Sequence, residues 1–209
     1  MRADRPTRLI LASASPRRRE ILSAVGIPFE TFVPDVEELG EGDPEETVLE
    51  NARRKAAAGF AAAPQGAVAL GVDTEVVLDG RTLGKAGDPS AARKRLEALS
   101  GRTHSVLSGV VLLGPERAEH GPVERSGIAR SQVTFRPLDQ RTLELYLASG
   151  EWRGRAGAYA IQGLGSMLVD RVDGDFSNVV GLPVRLLFEL APEFFEAAGD
   201  LGSAGSGRT

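Results

Sequence analysis

The sequence predicts a mixed α/β fold, and two observations support that class. Segments with the apolar, β-branched composition of strands alternate along the chain with amphipathic or alanine-rich helical segments. Strand-turn-strand signals, the clearest of which is Asp79-Gly80, interrupt this alternation in the middle of the chain. With 209 residues, of which 42% are apolar and 26% charged, we expect one globular domain at 1–198 and a disordered polar tail at 199–209.

Helix start signals place the elements of the first half. Ser15 followed by Pro16 predicts a capped helix N-terminus, and Asp43-Pro44, with Glu46 in capping-box spacing, predicts a second one. The predicted elements are a strand at 7–13, a helix at 15–26, a strand at 28–34, a helix at 43–63 and a strand at 67–80.

The second half follows from similar signals. Asp88-Pro89 repeats the helix opening, and Gly101 is typical of a helix end. The predicted elements are a helix at 88–101, strands at 104–114 and 130–138 around a polar loop near 114–127, a helix at 139–150, a glycine-rich stretch at 154–175 and a final helix at 183–199.

Composition excludes several classes of function. The absence of cysteine excludes disulfides, thiolate metal sites and a cysteine nucleophile, and two histidines, His104 and His120, are too few for a histidine zinc site. A net charge of −4 and 5% aromatic residues argue against nucleic acid or an anionic membrane as partner. Because no apolar stretch approaches the ~20 residues of a membrane span, we expect a cytoplasmic protein.

Three consecutive arginines, Arg17 to Arg19, stand on the first turn of the first predicted helix. Cations there oppose the helix dipole, at a cost of a few tenths of a kcal/mol each, roughly, so another interaction must favour them. The small residues from Ser13 to Ser15 let a ligand approach the free N–H groups, and Arg17 and Arg18 suit bidentate contacts to phosphate. The segment lacks the Walker pattern. Two interpretations stay open, a phosphate cradle and a solvated helix face.

Asp73 interrupts an apolar, β-branched run, where a carboxylate is costly unless it is paired or binds a cation. It is a candidate metal ligand or general base, and the alternative is an ordinary turn hydrogen bond at a strand end. Glu75 would share its face of the strand.

Other polar residues are ambiguous when taken singly. Lys55 and Lys85 would ordinarily be surface lysines, Gln162 between glycines suits a tight turn or contact with a flat base, and His104 is expected to be structural. Taken together, cations at 17, 18, 55 and 85 with acids at 73 and 38 suggest a phosphate ligand with a divalent metal.

These stretches resemble the Maf family of nucleoside triphosphate pyrophosphatases, also known as septum-formation inhibitor proteins. The matching blocks cover about residues 9–187 and occur in family order; they are LASASPRRREIL, VEE ahead of ENARRKA, GVDTEVV, LGKAGDP, LSGRTHSV, VTFRPL, GRAGAYAIQGLG and GDFSNVVGLP. The resemblance implies an ITPase-like fold with a twisted central sheet, flanking helices and a deep cleft between two lobes. It also implies hydrolysis between the α- and β-phosphates with Mg²⁺ or Mn²⁺.

The resemblance assigns roles to individual residues. Asp73 corresponds to the proton acceptor and Glu38 to an acid that helps hold the metal, so both are expected metal ligands and, with Lys85, catalytic residues. The expected phosphate contacts are Ser13, Arg17, Arg18 and Lys55, together with Lys85. A homodimer is suggested by the family alone.

Substrate preference follows from three further positions. The family branch that prefers dTTP and UTP has Arg, Thr and Gln where this chain has Arg17, Thr74 and Gln162, whereas the branch that prefers 7-methyl-GTP has Trp, Gln and Glu. A glutamine amide can both accept from N3–H of uracil or thymine and donate to a ring carbonyl. The resemblance therefore implies a dTTP/UTP pyrophosphatase.

The chain departs from the usual family residues at Glu75, Ala86 and Arg155, where Val, Pro and Lys are usual. We expect Glu75 to be a surface charge at the strand exit rather than a further metal ligand. The alternative functions are a broader enzyme for modified pyrimidine triphosphates and a non-enzymatic, nucleotide-binding regulator of cell division. A nucleic-acid-associated protein is disfavoured by the pI of about 5.4.

Overall fold

The computed structural model describes residues 8–116 and 122–196, which form a mixed sheet flanked by helices. The strands are β1 (Leu9–Ala12), β2 (Phe29–Phe32), β3 (Val68–Leu78), β4 (Arg81–Thr82), β5 (Thr103–Glu116), β6 (Pro122–Phe135) and β7 (Val169–Asp173). The helices are α1 (Pro16–Ala24), α2 (Pro44–Ala62), α3 (Pro89–Leu99), α4 (Gln140–Ser149), α5 (Phe176–Val180) and α6 (Val184–Leu190), with a 3-10 helix at Gly163–Leu168.

The sheet has seven strands in the order β2-β1-β3-β5-β6-β7, and β4 pairs with β3. β1 runs parallel to both β2 and β3, whereas the other pairs are antiparallel. The predicted turn at Asp79-Gly80 joins β3 to β4, and Asp79 adopts φ 51° there. The mixed α/β class is thereby confirmed.

Three predicted helix openings coincide with the observed ones. Asp43 accepts hydrogen bonds from the N–H groups of Glu45 and Glu46, and Asp88 accepts one from Ala91 N–H. Ser15 occupies the N-cap position of α1, but its side chain makes no capping bond. The first turn of α1 therefore keeps its N–H groups for another acceptor.

Helix α2 lies against the face of β3 and β5 that carries Gly71 and Gly109. A Cβ atom at Gly71 would come within 2.0 Å of the Ala52 carbonyl oxygen, and one at Gly109 within 2.4 Å of that of Val48. Only glycine permits this approach. It brings the polar residues of α2 against the centre of the sheet.

Two apolar cores share the opposite face of the sheet. One packs Leu22 of α1 and Leu187 of α6 against β1 and the start of β3, and the other packs Leu96 of α3 and Tyr146 of α4 against the end of β3. Between them, β3 carries Thr74 rather than an apolar residue. The boundary between the two cores is where the cleft described below opens.

Three expectations about elements were wrong. Residues 122–127, predicted as loop, belong to β6, where they pair with β5. Because β7 pairs only with 132–135, the first part of β6 is an edge strand that tolerates polar residues. The glycine-rich stretch at 154–175 contains the 3-10 helix and β7, and the short helix α5 follows it; none of these three elements was predicted. The final predicted helix is interrupted at Ala191, before Pro192, and residues 193–196 are helical again.

Some expectations lie outside the described residues: the tail at 199–209, the domain end at 198 and any role of His120. Among the helices that the structure does describe, none combines the length and the apolar character needed to cross a membrane.

Candidate active site

A cavity of about 460 Å³ opens at the edge of β3. β1 pairs with β3 only as far as Gly71, and β4 pairs with it only from Val77 onward, so the strand between them borders the cavity. Successive side chains alternate between the two faces of a strand. Asp73 and Glu75 therefore lie on the α2 side of β3 and Thr74 on the other, and all three line the cavity.

On the α2 side, a lysine lies between two carboxylates. Lys55 Nζ is 2.6 Å from Asp73 Oδ1 and 2.6 Å from Glu38 Oε1. The side chains of Lys55 and Asp73 are each 8% exposed, while that of Glu38 is 41% exposed. Burial raises the pKa of Glu38, but the hydrogen bond and charge of Lys55, together with the charges of Lys85 and Arg18, outweigh it and hold that pKa below its ordinary value. We call Glu38, Lys55 and Asp73 the carboxylate cluster.

Asn51, one helical turn before Lys55 on α2, joins the cluster to the chain segment that carries Glu38. Its Nδ2 donates to Asp73 Oδ2 over 3.1 Å and to the Leu39 carbonyl over 3.0 Å, while its Oδ1 accepts from Leu39 N–H over 2.7 Å. Both oxygens of Asp73 are thus held, one by Asn51 and one by Lys55. Asn51 was missed by sequence reasoning, although its i, i+4 spacing to Lys55 is a usable signal.

Glu75 is not the surface charge that the sequence suggested. It lines the cavity, and its Oε2 is buried with no hydrogen-bond partner among the described residues. Burial raises the pKa of Glu75 to about 7, the charges of Asp73 and Glu38 add to the rise, and Lys85 opposes it. Lys85 itself is mostly exposed, with its Nζ 3.9 Å from Glu38 Oε2.

On the other side of β3, Arg18 binds three separate segments of the chain. Its Nε donates to the Gly181 carbonyl over 2.9 Å, its Nη1 to Ser13 Oγ over 3.0 Å and its Nη2 to Thr74 Oγ1 over 3.2 Å. Burial lowers the pKa of Arg18, and the charges of Asp73 and Glu38 oppose that change. We call Arg18 with Ser13, Thr74 and Gly181 the arginine clamp.

Neighbouring groups extend the clamp. Thr74 Oγ1 is 2.9 Å from Ser108 Oγ and 3.4 Å from the Gly181 carbonyl, and Ser108 is fully buried. Arg17 Nε donates to the Val180 carbonyl over 3.1 Å. The carbonyls of Val180 and Gly181, at the end of α5, therefore hold both arginines of α1.

The opposite wall of the cavity comes from residues 153–162. Gln162 precedes the 3-10 helix and lines the cavity, as do Arg153 and Arg155. Arg155 Nε donates to the Glu151 carbonyl over 3.4 Å, and burial lowers the pKa of this arginine. A backbone bridge between Lys85 and Ala156 joins this wall to the loop after β4.

His104 is structural, as expected. Its Nε2 is 2.9 Å from Tyr159 OH, its ring packs edge-on against Phe135, and burial lowers its pKa to about 4. It does not line the cavity, although Tyr159 does.

Comparison with known proteins shows the family of this chain. The family described as Maf-like protein matches residues 8–194. The chain belongs to the Maf-like family. Three relatives that align with most of this chain carry the name dTTP/UTP pyrophosphatase. They are from Deinococcus radiodurans (42% identity, 91% of this chain and 94% of the relative), Methylococcus capsulatus (46%, 85% and 86%) and Thermococcus gammatolerans (41%, 90% and 97%).

One solved structure shows a distant likeness to this Maf-like chain. The Staphylococcus aureus Ham1 protein matches with a TM-score of 0.43 at 16% identity, over 62% of this chain and 72% of that one. Likeness at this level has no bearing on function.

Every site residue predicted from the Maf resemblance borders the one cavity described here; these are Ser13, Arg17, Arg18, Glu38, Lys55, Asp73, Thr74, Lys85 and Gln162. Asn51 and Ser108 were missed because they act on other side chains from beneath the surface of the cavity. Ala86, one of the departures, is buried in the core behind Lys85.

Proposed function

We propose that this protein is a nucleoside triphosphate pyrophosphatase that hydrolyses dTTP and UTP to the monophosphate and pyrophosphate. The observation that carries the proposal is a buried carboxylate, Asp73, held at both oxygens beside a cavity that is also lined by six cationic side chains. The names of the near-full-length relatives support the same activity and substrates.

The triphosphate would be bound by its charge. Arg17 and Arg18 at the start of α1, with Lys55 and Lys85 across the cavity, supply cations, and the first turn of α1 supplies N–H groups. The same groups would stabilise the charge that develops on the pyrophosphate as the bond between the α-phosphorus and the bridging oxygen breaks. Bound phosphate would add to the Val180 and Gly181 carbonyls, which already hold Arg17 and Arg18, in offsetting the cost of arginines at a helix N-terminus.

Asp73 would orient the attacking water and accept its proton. A carboxylate oxygen has two acceptor positions, and Asn51 and Lys55 each use one of them on different oxygens. Acceptor positions therefore remain for a water proton, while the orientation of the carboxylate is fixed. General base catalysis of this kind typically contributes about 10²–10⁴-fold to the rate.

Mg²⁺ or Mn²⁺ fits the residues of the cluster. Glu38 and Asp73 offer the carboxylate oxygens that such cations prefer, and Glu75, whose buried Oε2 has no hydrogen-bond partner among the described residues, lines the same cavity. Within residues 8–116 and 122–196, no group of three His, Cys, Asp or Glu is arranged to hold a metal. Mg²⁺ needs no such cage, because it is usually held by one or two carboxylates with substrate phosphates. When bound, it would supply charge neutralisation of the phosphates.

Residues 153–162, which form the wall of the cavity opposite β3, would select the pyrimidine base. Gln162 has the donor and acceptor that uracil and thymine require, and its backbone position beside the 3-10 helix places it at the cavity. Arg17 and Thr74 complete the set of residues that matches the dTTP- and UTP-preferring branch. The cytoplasmic location and the homodimer stay predictions.

A panel of nucleoside triphosphates tests the proposal. We expect kcat/KM with Mg²⁺ or Mn²⁺ to be highest for dTTP and UTP, well above the values for CTP, ATP and GTP, with pyrophosphate as product. Comparable rates on all five would contradict the proposed selectivity. Tight nucleotide binding with no turnover on any of them would instead support the non-enzymatic regulator.

A further inference from the structure

We infer that Arg155 binds the β- and γ-phosphates of the substrate, the half that leaves as pyrophosphate, from the wall opposite β3. This inference rests on the proposed function and gives that wall a second task, phosphate binding beside selection of the base. The observation behind it is a half-buried guanidinium that borders the cavity and has one weak partner within the described parts of the chain.

The hydrogen bonds of Arg155 leave most of its donors unused. A guanidinium carries five N–H groups. Within residues 8–116 and 122–196, only the Nε group of Arg155 has an acceptor, the Glu151 carbonyl at 3.4 Å, which is long for a hydrogen bond. The four N–H groups on the two Nη atoms have no acceptor in these ranges, and such groups suit the paired oxygens of a phosphate.

The charge of Arg155 also lacks a partner. Burial lowers the pKa of Arg155, and no carboxylate of the described residues raises it again. Arg53, by contrast, forms ion pairs with Glu50 and Glu124, which raise its pKa. Because a partly desolvated cation without a counter-ion is costly, such a group favours a bound anion. A stacked base, the other ligand of a guanidinium, would leave the charge uncompensated.

The backbone around Arg155 is joined to the loop that carries Lys85. Lys85 and Ala156 form an antiparallel bridge, and Gly157 N–H donates to the Gly84 carbonyl over 2.9 Å. Lys85 Nζ in turn lies 3.9 Å from a carboxylate oxygen of the carboxylate cluster. Arg155 is therefore held next to a residue that the Maf resemblance makes a phosphate contact.

The direction of the reaction assigns the phosphates. In an in-line displacement the leaving oxygen lies opposite the attacking water. Asp73 on β3 would hold that water, so the bond from the α-phosphorus to the bridging oxygen points away from β3 and towards the opposite wall. Arg155 on that wall would meet the β- and γ-phosphates and stabilise the charge that they gain as this bond breaks.

Two variants separate charge from side-chain length. Arg155→Met keeps most of the length and removes the charge, whereas Arg155→Lys keeps the charge. Arg81→Met is the matched control, because Arg81 on β4 is exposed and does not line the cavity. Each protein is titrated by calorimetry with inorganic tripolyphosphate, with pyrophosphate and with dTMP, in EDTA to prevent metal-dependent turnover.

For Arg155→Met we expect the binding of tripolyphosphate and pyrophosphate to weaken about 10- to 100-fold, the size expected for hydrogen bonds to a charged group. Binding of dTMP should stay unchanged, because dTMP keeps only the α-phosphate. Arg155→Lys should recover most of the loss, and Arg81→Met should bind all three ligands as the wild-type protein does.

Urea unfolding without ligand supplies a second readout. Arg155→Met removes a partly desolvated charge and one long hydrogen bond, so its free energy of unfolding should not fall below that of the wild-type protein. A structural role for Arg155 predicts the opposite, a less stable variant.

Three results would overturn the inference. Pyrophosphate binding that survives in Arg155→Met would show that this arginine does not hold the leaving group. An equal loss of dTMP and pyrophosphate binding would place it at the α-phosphate or the nucleoside. Weaker binding together with lower stability of the ligand-free variant would show a structural role. A protein that binds tripolyphosphate through Arg155 and yet hydrolyses no dTTP would contradict the proposed function alone.

Discussion

On one side of β3, Lys55 contacts two carboxylates over 2.6 Å each, whereas on the other side Arg18 donates only to neutral oxygens of the protein. The carboxylate cluster is held by ion pairs. A metal ion that enters the cavity must therefore compete with Lys55 for the two carboxylates, and a phosphate must compete with the carboxylates for Lys55. The arginine clamp satisfies its acceptors without neutralising its charge. The comparison indicates that one side is arranged for chemistry and the other for holding an anion in place.

Removal of the proposed base should have the largest effect. Asp73→Asn keeps the shape of the side chain but cannot accept a proton from water, so we expect kcat to fall by about 10³-fold or more. Nucleotide binding, measured by calorimetry, should persist because the arginine clamp is untouched. Asp79→Asn, on the exposed turn after β3 and bonded to Arg102, is the control. A kcat for Asp73→Asn near that of the control would exclude Asp73 as the base.

Breaking the carboxylate cluster should cost stability as well as activity. Lys55→Met leaves Asp73 buried without its cation, and we expect the free energy of unfolding in urea to fall by about 3–5 kcal/mol. Arg185→Met, which breaks an exposed pair with Glu189, should change it by less than about 1 kcal/mol. Equal small losses in both variants would show that the cluster is not held together as the geometry indicates.

The unpartnered Glu75 predicts a pH dependence on the carboxylate side. Its pKa is raised from 4.5 to about 7, so between those values the folded state binds more protons than the unfolded state. Its contribution to stability is therefore fully present below pH 4.5 and is lost as the pH rises through about 7.

Relative to Glu75→Gln, the wild-type protein should lose about 2 kcal/mol of unfolding free energy between pH 5 and pH 8, in EDTA and without nucleotide. Urea titrations at several pH values measure this difference. Parallel stability curves for the two proteins would mean that Glu75 is not buried as described.

The smallest effect should come from Asn51. Asn51→Ala leaves Lys55 on Asp73 Oδ1 but frees Oδ2, so we expect kcat to fall by about tenfold while KM changes little. Gln132→Ala, which removes a similar side-chain bond to Ser105 on the sheet, should leave both constants unchanged. A change in KM alone would mean that Asn51 contributes to substrate binding, as the arginine clamp does, and not to the chemical step.

Much of the fold could be predicted because its signals are local. Asp43-Pro44, Asp88-Pro89 and the Asp79-Gly80 turn act within a few residues, and each occurs where it was expected. The polar first part of β6 could not be predicted, since its strand character depends on pairing with β5. The break at Ala191 carries a local signal, Pro192, that the apolar periodicity of the last helix concealed.

The residues of the site also divide into those that could be predicted from local sequence and those that depend on packing. The charges at the cavity are visible in the sequence, because arginines at a helix start and an acid in a buried strand are locally unfavourable. The partners that hold them are not visible: Ser108 and Gly181 meet Thr74 only after β3, β5 and α5 have packed together. Glu75 was misjudged because strand alternation gives its face but not the missing neighbour strand that opens the cavity beside it.

The most direct test of the account is ³¹P NMR of the products formed from dTTP by the wild-type protein with Mg²⁺. We predict resonances of dTMP and pyrophosphate that grow together in equal amounts. Resonances of dTDP and orthophosphate would contradict the account, because they would show that a different bond is cleaved and that the groups around Asp73 do not act on the bond between the α- and β-phosphates.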